Sequence, residues 1–126
     1  MLGIVILLTD KIYKMGMYTE FIIDVKLKDS TPKEVIDCID CMMGNIDNSL
    51  FTYRRNPLNN YCGSETFEKS FEDLQLRAHG DIKNYWSDIE RFVDFLKPYI
   101  ETGLIDNGVF AKSLYEEFDE WELYYA

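Results

Sequence analysis

The strongest pattern in this sequence is a run of apolar residues at helical spacing between Asp81 and Ile100. Its core-facing members are Ile89, Phe92, Val93 and Leu96, widened by Trp86, Phe95 and Ile100. The run predicts one long helix over residues 81–100, kinked or tightened about one turn before Pro98 and closed by Gly103. A helix with so broad an apolar face needs a sheet or a second helix to cover it, so this stretch constrains the fold most.

Two further elements are predicted before it. Alternating apolar and polar residues indicate a strand over Thr19–Leu27 that is buried on one face only. A helix then begins after Thr31, because Pro32 suits the first helical position and Glu34 lies at the capping-box spacing from Thr31. Gly44 is expected to end this helix, since a positive φ is usual there.

Four more strands complete the predicted order. They are Leu50–Tyr53, Phe67–Ala78, Val109–Phe118 and Glu120–Tyr125. Gly80 is expected to end the second of these, and the last two to meet at an acidic turn at Phe118 and Asp119. The order βαββαββ predicts an α+β fold, with two helices packed on one face of a mostly antiparallel sheet in the ferredoxin-like order.

The length of 126 residues indicates a single domain over residues 1–126. Residues 1–16 are either an extra strand at the apolar run Leu2–Leu8 or an upstream extension, because Met15 and Met17 are alternative starts. The run lacks a preceding basic residue and a cleavage site, and it is too short to span a bilayer. Three cysteines, an odd number, argue against a closed disulfide framework. We therefore expect a cytoplasmic location.

Acidic residues dominate the charge of the chain. Thirteen Lys and Arg against 23 Asp and Glu give a net charge of −10, which argues against direct binding of nucleic acid or of an anionic membrane. Residues 101–126 contribute −6 of this, since Lys112 is their only base. Their acids are Glu101, Asp106, Glu116, Glu117, Asp119, Glu120 and Glu122. A protein of this kind repels nucleic acid and competes with it for a basic protein groove.

Aromatic residues are interleaved with these acids. They are Tyr115, Phe118, Trp121, Tyr124 and Tyr125. Aromatic side chains supply binding hot spots and charges accelerate association, so the pattern predicts a partner-binding surface. Its expected residues are Glu116, Glu117, Asp119, Glu120, Trp121, Glu122 and Tyr124. The alternative is an acidic sheet edge that prevents aggregation, with its aromatic residues in the core.

The cysteines and the single histidine offer weaker chemistry. Cys38 and Cys41 form a CxxC pair, but they fall late in the predicted helix and beside acidic residues, which disfavours a redox role. With Cys62 and His79 they form a weak Cys3His zinc candidate of irregular spacing. The sequence has no glycine-rich phosphate-binding motif, and a catalytic pair would have to use the one histidine. We expect no enzyme activity and no cofactor.

Three short runs carry a resemblance to known proteins. They are Thr31–Asp37, then Asp81–Tyr85 with Ile89, Glu90 and Phe92, and Phe95–Ile100. These runs resemble those of a group of small uncharacterised proteins from phages and prophages, over roughly residues 17–105. The resemblance implies an origin in a mobile element. The group has no catalytic motif, so no functional residue carries over.

Together these observations predict a non-enzymatic, acidic protein-binding protein of the phage or mobile-element type. The expected partner is a basic protein of a bacterial host, such as a defence nuclease or another nucleic-acid-binding protein, inhibited by nucleic-acid mimicry in an anti-CRISPR-like way. Two alternatives stay open: a structural or assembly oligomer of the same element, and the Cys3His zinc module. The chain is expected to be a monomer or homodimer.

Overall fold

The computed structural model describes residues 18–44, 57–58, 68–82, 84 and 87–126. Within this part of the chain, six strands and two α-helices form an α+β fold, so the predicted class is confirmed. The strands are β1 (Thr19–Leu27), β2 (Glu68–Glu72), β3 (Gln75–Ile82), β4 (Ile100–Gly103), β5 (Val109–Tyr115) and β6 (Glu122–Tyr125). The helices are α1 (Lys33–Met43) and α2 (Asp88–Leu96), the latter followed by a 3-10 turn at Lys97–Tyr99.

The described strands form one antiparallel sheet in the order β2-β3-β1-β5-β6. One edge of β1 is shared, because β5 pairs with Thr19–Ile23 while β4 pairs with Val25–Leu27. The predicted ferredoxin-like strand order is therefore not observed, because β4 and β5 share one edge of β1 and β6 is added outside β5. The antiparallel sheet itself is as predicted.

Strand β1 lies at the centre of the sheet and has the bounds that its alternating sequence predicts. One face of β1 is buried in the core with residues of both helices. The largest fully buried side chains include Phe21, Ile23, Leu27, Ile39, Leu76, Ile82, Ile89, Leu96 and Phe110. Since side chains alternate across a strand, the other face of β1 carries Glu20, Ile22, Asp24 and Lys26 on the side away from the helices.

Helix α1 begins differently from the prediction. Pro32 is the N-cap rather than the first helical residue, and no side chain caps the helix. The predicted capping box between Thr31 and Glu34 is therefore wrong: the Thr31 hydroxyl donates to the carbonyl of Lys28 at 2.6 Å and closes the preceding turn instead. Gly44 ends the helix with φ 80, as predicted, in the left-handed conformation that glycine adopts most readily.

The predicted helix over residues 81–100 is wrong at both ends. Asp81 and Ile82 belong to β3, where they pair with Glu20 and Thr19 of β1. Ile100 begins β4. Cross-strand pairing therefore outweighs the helical pattern at both ends of the segment. The predicted core-facing residues Ile89, Phe92, Val93 and Leu96 are buried on α2, whereas Trp86 lies outside the described residues. The tightening, expected about one turn before Pro98, lies at Pro98 itself, where the 3-10 turn Lys97–Tyr99 follows the α-helix.

Several other predicted ends of strands and helices are also wrong. The predicted strand Phe67–Ala78 is two strands, joined by a tight turn at Asp73 and Leu74, both with positive φ. Gly80 does not end β3 but pairs with Phe21 inside it. Gly103 ends a strand rather than a helix.

The last two predicted strands are confirmed in shorter form as β5 and β6, and residues 116–121 connect them. The predicted strand Leu50–Tyr53 and the two readings of residues 1–16 lie outside the described residues.

Candidate partner-binding surface

The acidic residues singled out in the sequence lie on the C-terminal hairpin, here defined as β5, β6 and residues 116–121 between them. Strand β6 pairs with β5 so that Glu122 lies opposite Ser113, Leu123 opposite Lys112, and Tyr124 opposite Ala111. Alternation along β6 places Glu122 and Tyr124 on the helix side of the sheet and Leu123 on the open side. The hairpin therefore presents different chemistry on its two faces.

Tyr124 ties the hairpin to helix α2. Its hydroxyl donates to Oε2 of Glu90 at 3.1 Å and lies 3.2 Å from Oγ of Ser113. Glu90 also accepts a hydrogen bond from Nδ2 of Asn84 at 2.9 Å. Burial, reinforced by the neighbouring carboxylates of Glu90 and Glu122, raises the pKa of the Tyr124 phenol, against a smaller opposing effect of Ser113. Tyr124, predicted for the partner-binding surface, is thus half-buried, and its hydroxyl joins the hairpin to helix α2.

A cleft of about 210 Å³ lies beside this contact, between the hairpin and α2. It is lined by three carboxylates, two hydroxyls, one amide and two aromatic rings. These belong to Glu90, Glu120, Glu122, Thr19, Ser113, Asn84, Tyr115 and Phe118. Sequence reasoning missed the contributions of Glu90 and Ser113, because only the fold brings α2 against β5.

The hairpin acids are exposed and carry unbalanced charge. Glu116, Glu117, Asp119, Glu120 and Glu122 are all exposed, and none forms an ion pair with another described residue. Partial burial and the nearby acids of Asp81 and Glu117 raise the pKa of Glu116. The structure thus brings the five predicted acids together on one hairpin, with their side chains exposed.

Trp121 is the one predicted aromatic residue that faces the lone base of the hairpin. The ammonium of Lys112 lies 4.5 Å from the centroid of the Trp121 ring, a cation–π contact. Lys112 forms no ion pair with the described acids of the connecting residues 116–121. Trp121 itself is only partly exposed.

The most exposed apolar side chains of the hairpin are different ones. Phe118 is 65% exposed, Tyr125 55% and Leu123 44%. The Phe118 ring makes an edge-on contact with Tyr115, with centroids 5.3 Å apart. Sequence reasoning missed Leu123, although strict alternation over residues 122–125 would have placed it beside Tyr125 on the open side.

Elsewhere on the sheet, two acids of strand β1 have basic partners. On the open face of β1 and β3, Oε2 of Glu20 lies 2.8 Å from Nε2 of His79, and Oδ2 of Asp24 lies 3.5 Å from Nε of Arg77. A groove of about 470 Å³ runs along this face and includes Ile22 and His79 in its lining. Glu20 and Asp24 thus each have a basic side chain close by, whereas five exposed acids without such partners among the described residues lie together on the hairpin, which makes the hairpin the candidate surface.

The weak zinc candidate is not assembled by the described residues. His79 points to the open face of the sheet, whereas Cys38 and Cys41 lie on α1 in the helix layer. No group of three potential ligands occurs in the described ranges, and Cys62 lies outside them. Burial raises the pKa of the Cys38 thiol, with a smaller contribution from Cys41, which makes this thiol a poorer nucleophile.

Comparison with protein-family models, with curated proteins and with solved structures finds no match to this chain. Among the described residues, no helix combines the length and the apolar character needed to cross a bilayer.

Proposed function

We propose that this protein binds a basic protein through its C-terminal hairpin and inhibits that protein by occupying a site meant for nucleic acid. The observation that carries the proposal is the juxtaposition, on one hairpin, of three exposed apolar side chains and five exposed acids that form no ion pair with any residue the structure describes. Carboxylates attract a basic groove over a distance, and apolar side chains hold the complex once water is excluded. Neither feature alone would suit a stable complex.

The hairpin acts on the partner as a preorganised surface. Tyr124 holds β6 against α2 through Glu90, so the connecting residues 116–121 extend from a fixed base. Glu116, Glu117, Asp119 and Glu120 then take the positions of phosphates in the partner's groove. Phe118 and Trp121 supply the aromatic contacts, since stacking on aromatic rings is common in grooves that bind single strands. Rigidity of the base lowers the entropy lost on binding.

The class of partner follows from the charge. A groove that binds DNA or RNA is rich in Lys and Arg. Its affinity for an acidic protein should fall as the salt concentration rises, because both this protein and nucleic acid bind through their negative charges. The runs that resemble phage and prophage proteins favour a bacterial partner, such as a defence nuclease inhibited in an anti-CRISPR-like way. Binding of this kind requires no enzyme activity and no cofactor.

The experiment is affinity capture from nuclease-treated bacterial lysate with three baits. The first is the wild type, and the second carries Glu116→Gln, Glu117→Gln, Asp119→Asn and Glu120→Gln, here called the hairpin variant. The third, the matched variant, removes the same number of charges from exposed acids outside the hairpin: Glu34→Gln, Glu68→Gln, Glu72→Gln and Asp94→Asn. We expect a stoichiometric basic protein with the wild type and the matched variant only. Identical captures with all three baits would contradict the proposal.

A structural or assembly oligomer is the second candidate, favoured by the exposed Leu123 and Tyr125 on a strand at the end of the described sheet. Strand edges of this kind join copies of a chain unless charge prevents it. Sedimentation at several protein concentrations separates the two functions. A mass that rises with concentration, together with capture of no basic protein, would favour the oligomer.

A further inference from the structure

Strand β6 offers main-chain groups to a partner as well as side chains. In the described residues it is the last strand of the sheet and pairs with β5 alone. The N–H of Ala126 donates to the carbonyl of Gly108 at 3.1 Å, which fixes the direction in which the adjoining main-chain groups point. In an antiparallel strand, the N–H and C=O of one residue point to the same side, and successive residues alternate. The main-chain groups of Leu123 and Tyr125 therefore point away from β5.

Side chains along the same edge select what lies against it. Leu123 and Tyr125, both exposed, supply apolar contact at alternate positions. Glu122 and the nearby Glu120 supply negative charge, and neither forms an ion pair within the described residues. A strand that adds to this edge should therefore alternate apolar and basic residues.

A second copy of this chain suits the edge less well. Two β6 strands laid side by side would bring the acids of both hairpins together, and like charges across a strand pair are destabilising. A basic segment at the same edge would instead place its positive charges beside these acids. Charge thus distinguishes between the two occupants that an unpaired edge can take.

We propose that β6 accepts an extended Lys- or Arg-rich segment of the partner as an added antiparallel strand, hydrogen-bonded to the main chain of Leu123 and Tyr125. This inference rests on the proposed function and specifies how its partner binds. Strand addition derives its affinity from main-chain hydrogen bonds and its selectivity from alternate side chains.

The test uses defined peptides and the full-length protein. The probe is a nine-residue peptide of alternating lysine and valine, capped at both ends, with an alternating glutamate and valine peptide as its control. Leu123→Ala removes the side chain and keeps the N–H, whereas Leu123→Pro removes the outward N–H as well. Proline is tolerated on edge strands where the N–H faces outward, and a thermal melt checks that both variants fold.

We expect the wild type and Leu123→Ala to bind the lysine peptide, and Leu123→Pro to bind it about tenfold or more weakly than Leu123→Ala. A lysine peptide N-methylated at alternate residues should lose affinity for the unaltered protein by a similar factor, which tests the ladder without any mutation. Equal binding of methylated and unmethylated peptide would overturn strand addition. Equal affinities of Leu123→Pro and Leu123→Ala for the lysine peptide would also overturn strand addition.

Failure of this inference is distinguishable from failure of the proposed function. If the hairpin variant loses the lysine peptide while Leu123→Pro keeps it, the acidic surface is right and strand addition is wrong. If Leu123→Pro loses the peptide while the hairpin variant keeps it, strand addition is right and the proposed role of the four acids of residues 116–120 is wrong. If the wild type is a dimer and Leu123→Pro is a monomer, a second copy of the chain occupies the edge. That result would overturn the basic occupant.

Discussion

The hydroxyl of Tyr124 on the last strand donates a hydrogen bond to Oε2 of Glu90 on helix α2, at 3.1 Å and across 34 positions of sequence. This contact joins the C-terminal hairpin to the helix layer. It explains how a strand of four residues at the end of the described sheet keeps a defined position. The hairpin presents its acids from a fixed base because of it.

Removing the Tyr124 hydroxyl should therefore destabilise the protein. We expect Tyr124→Phe to lower the free energy of unfolding by about 1–2 kcal/mol, because Glu90 and Ser113 each lose a hydrogen-bonding partner. Urea unfolding measures this, with Tyr125→Phe at an exposed position as the matched control. Equal midpoints for the two variants would show that the contact contributes nothing.

The raised pKa of Tyr124 also predicts a dependence on alkaline pH. The native state keeps the phenol protonated at pH values where the unfolded chain releases its proton, so this stability is present below the ordinary pKa of 10.0 and is lost as pH rises above it. The difference in unfolding free energy between wild type and Tyr124→Phe should shrink from about pH 9 to about pH 11. A difference that stays constant over that range would contradict the assignment.

Neutralising Glu116 should leave stability intact. Its pKa is raised, so the native state binds the proton more tightly than the unfolded chain, and the ionised carboxylate opposes folding above the ordinary pKa of 4.5. We expect Glu116→Gln to stabilise the protein at neutral pH by a few tenths of a kcal/mol at most, since the group is largely exposed to solvent screening. The gain should vanish below about pH 4. Destabilisation by this substitution would show that Glu116 has a structural role.

Gly103 should tolerate no side chain. A Cβ at this position would lie 2.6 Å from the main-chain oxygens of Gly108 and Val109, which cannot yield as a side chain can. We expect Gly103→Ala to cost about 1–3 kcal/mol in the free energy of unfolding. The neighbouring, exposed Thr102→Ala is the control and should change stability by about 0.5 kcal/mol or less. A similar effect of both substitutions would contradict the close approach.

How well the sequence predicted each element depended on whether its pattern was local. Strand β1 was predicted to the residue because one face is buried throughout and its alternation is almost unbroken. The predicted ends of the long helix are wrong because Ile82 and Ile100 belong to strands that pair with β1, and their apolar side chains serve those strands rather than a helix. Pairing between distant residues leaves no periodic signal within the segment itself.

The hairpin could be predicted as a charged region but not as a surface. Its acids are visible in the sequence, whereas the role of Tyr124 depends on Glu90, which the fold brings close from another element. Leu123 was overlooked because its exposure follows from the position of β6 at the end of the described sheet. Composition thus predicted the charge of the surface, and topology determined which apolar residues accompany it.

The most direct test of the proposed function is the salt dependence of affinity for the captured protein, measured with the wild type, the hairpin variant and the matched variant. We predict that affinity of the wild type and the matched variant falls steeply with salt, and that the hairpin variant binds weakly with a much shallower slope. Equal affinities and slopes for all three would show that the hairpin acids do not bind the partner.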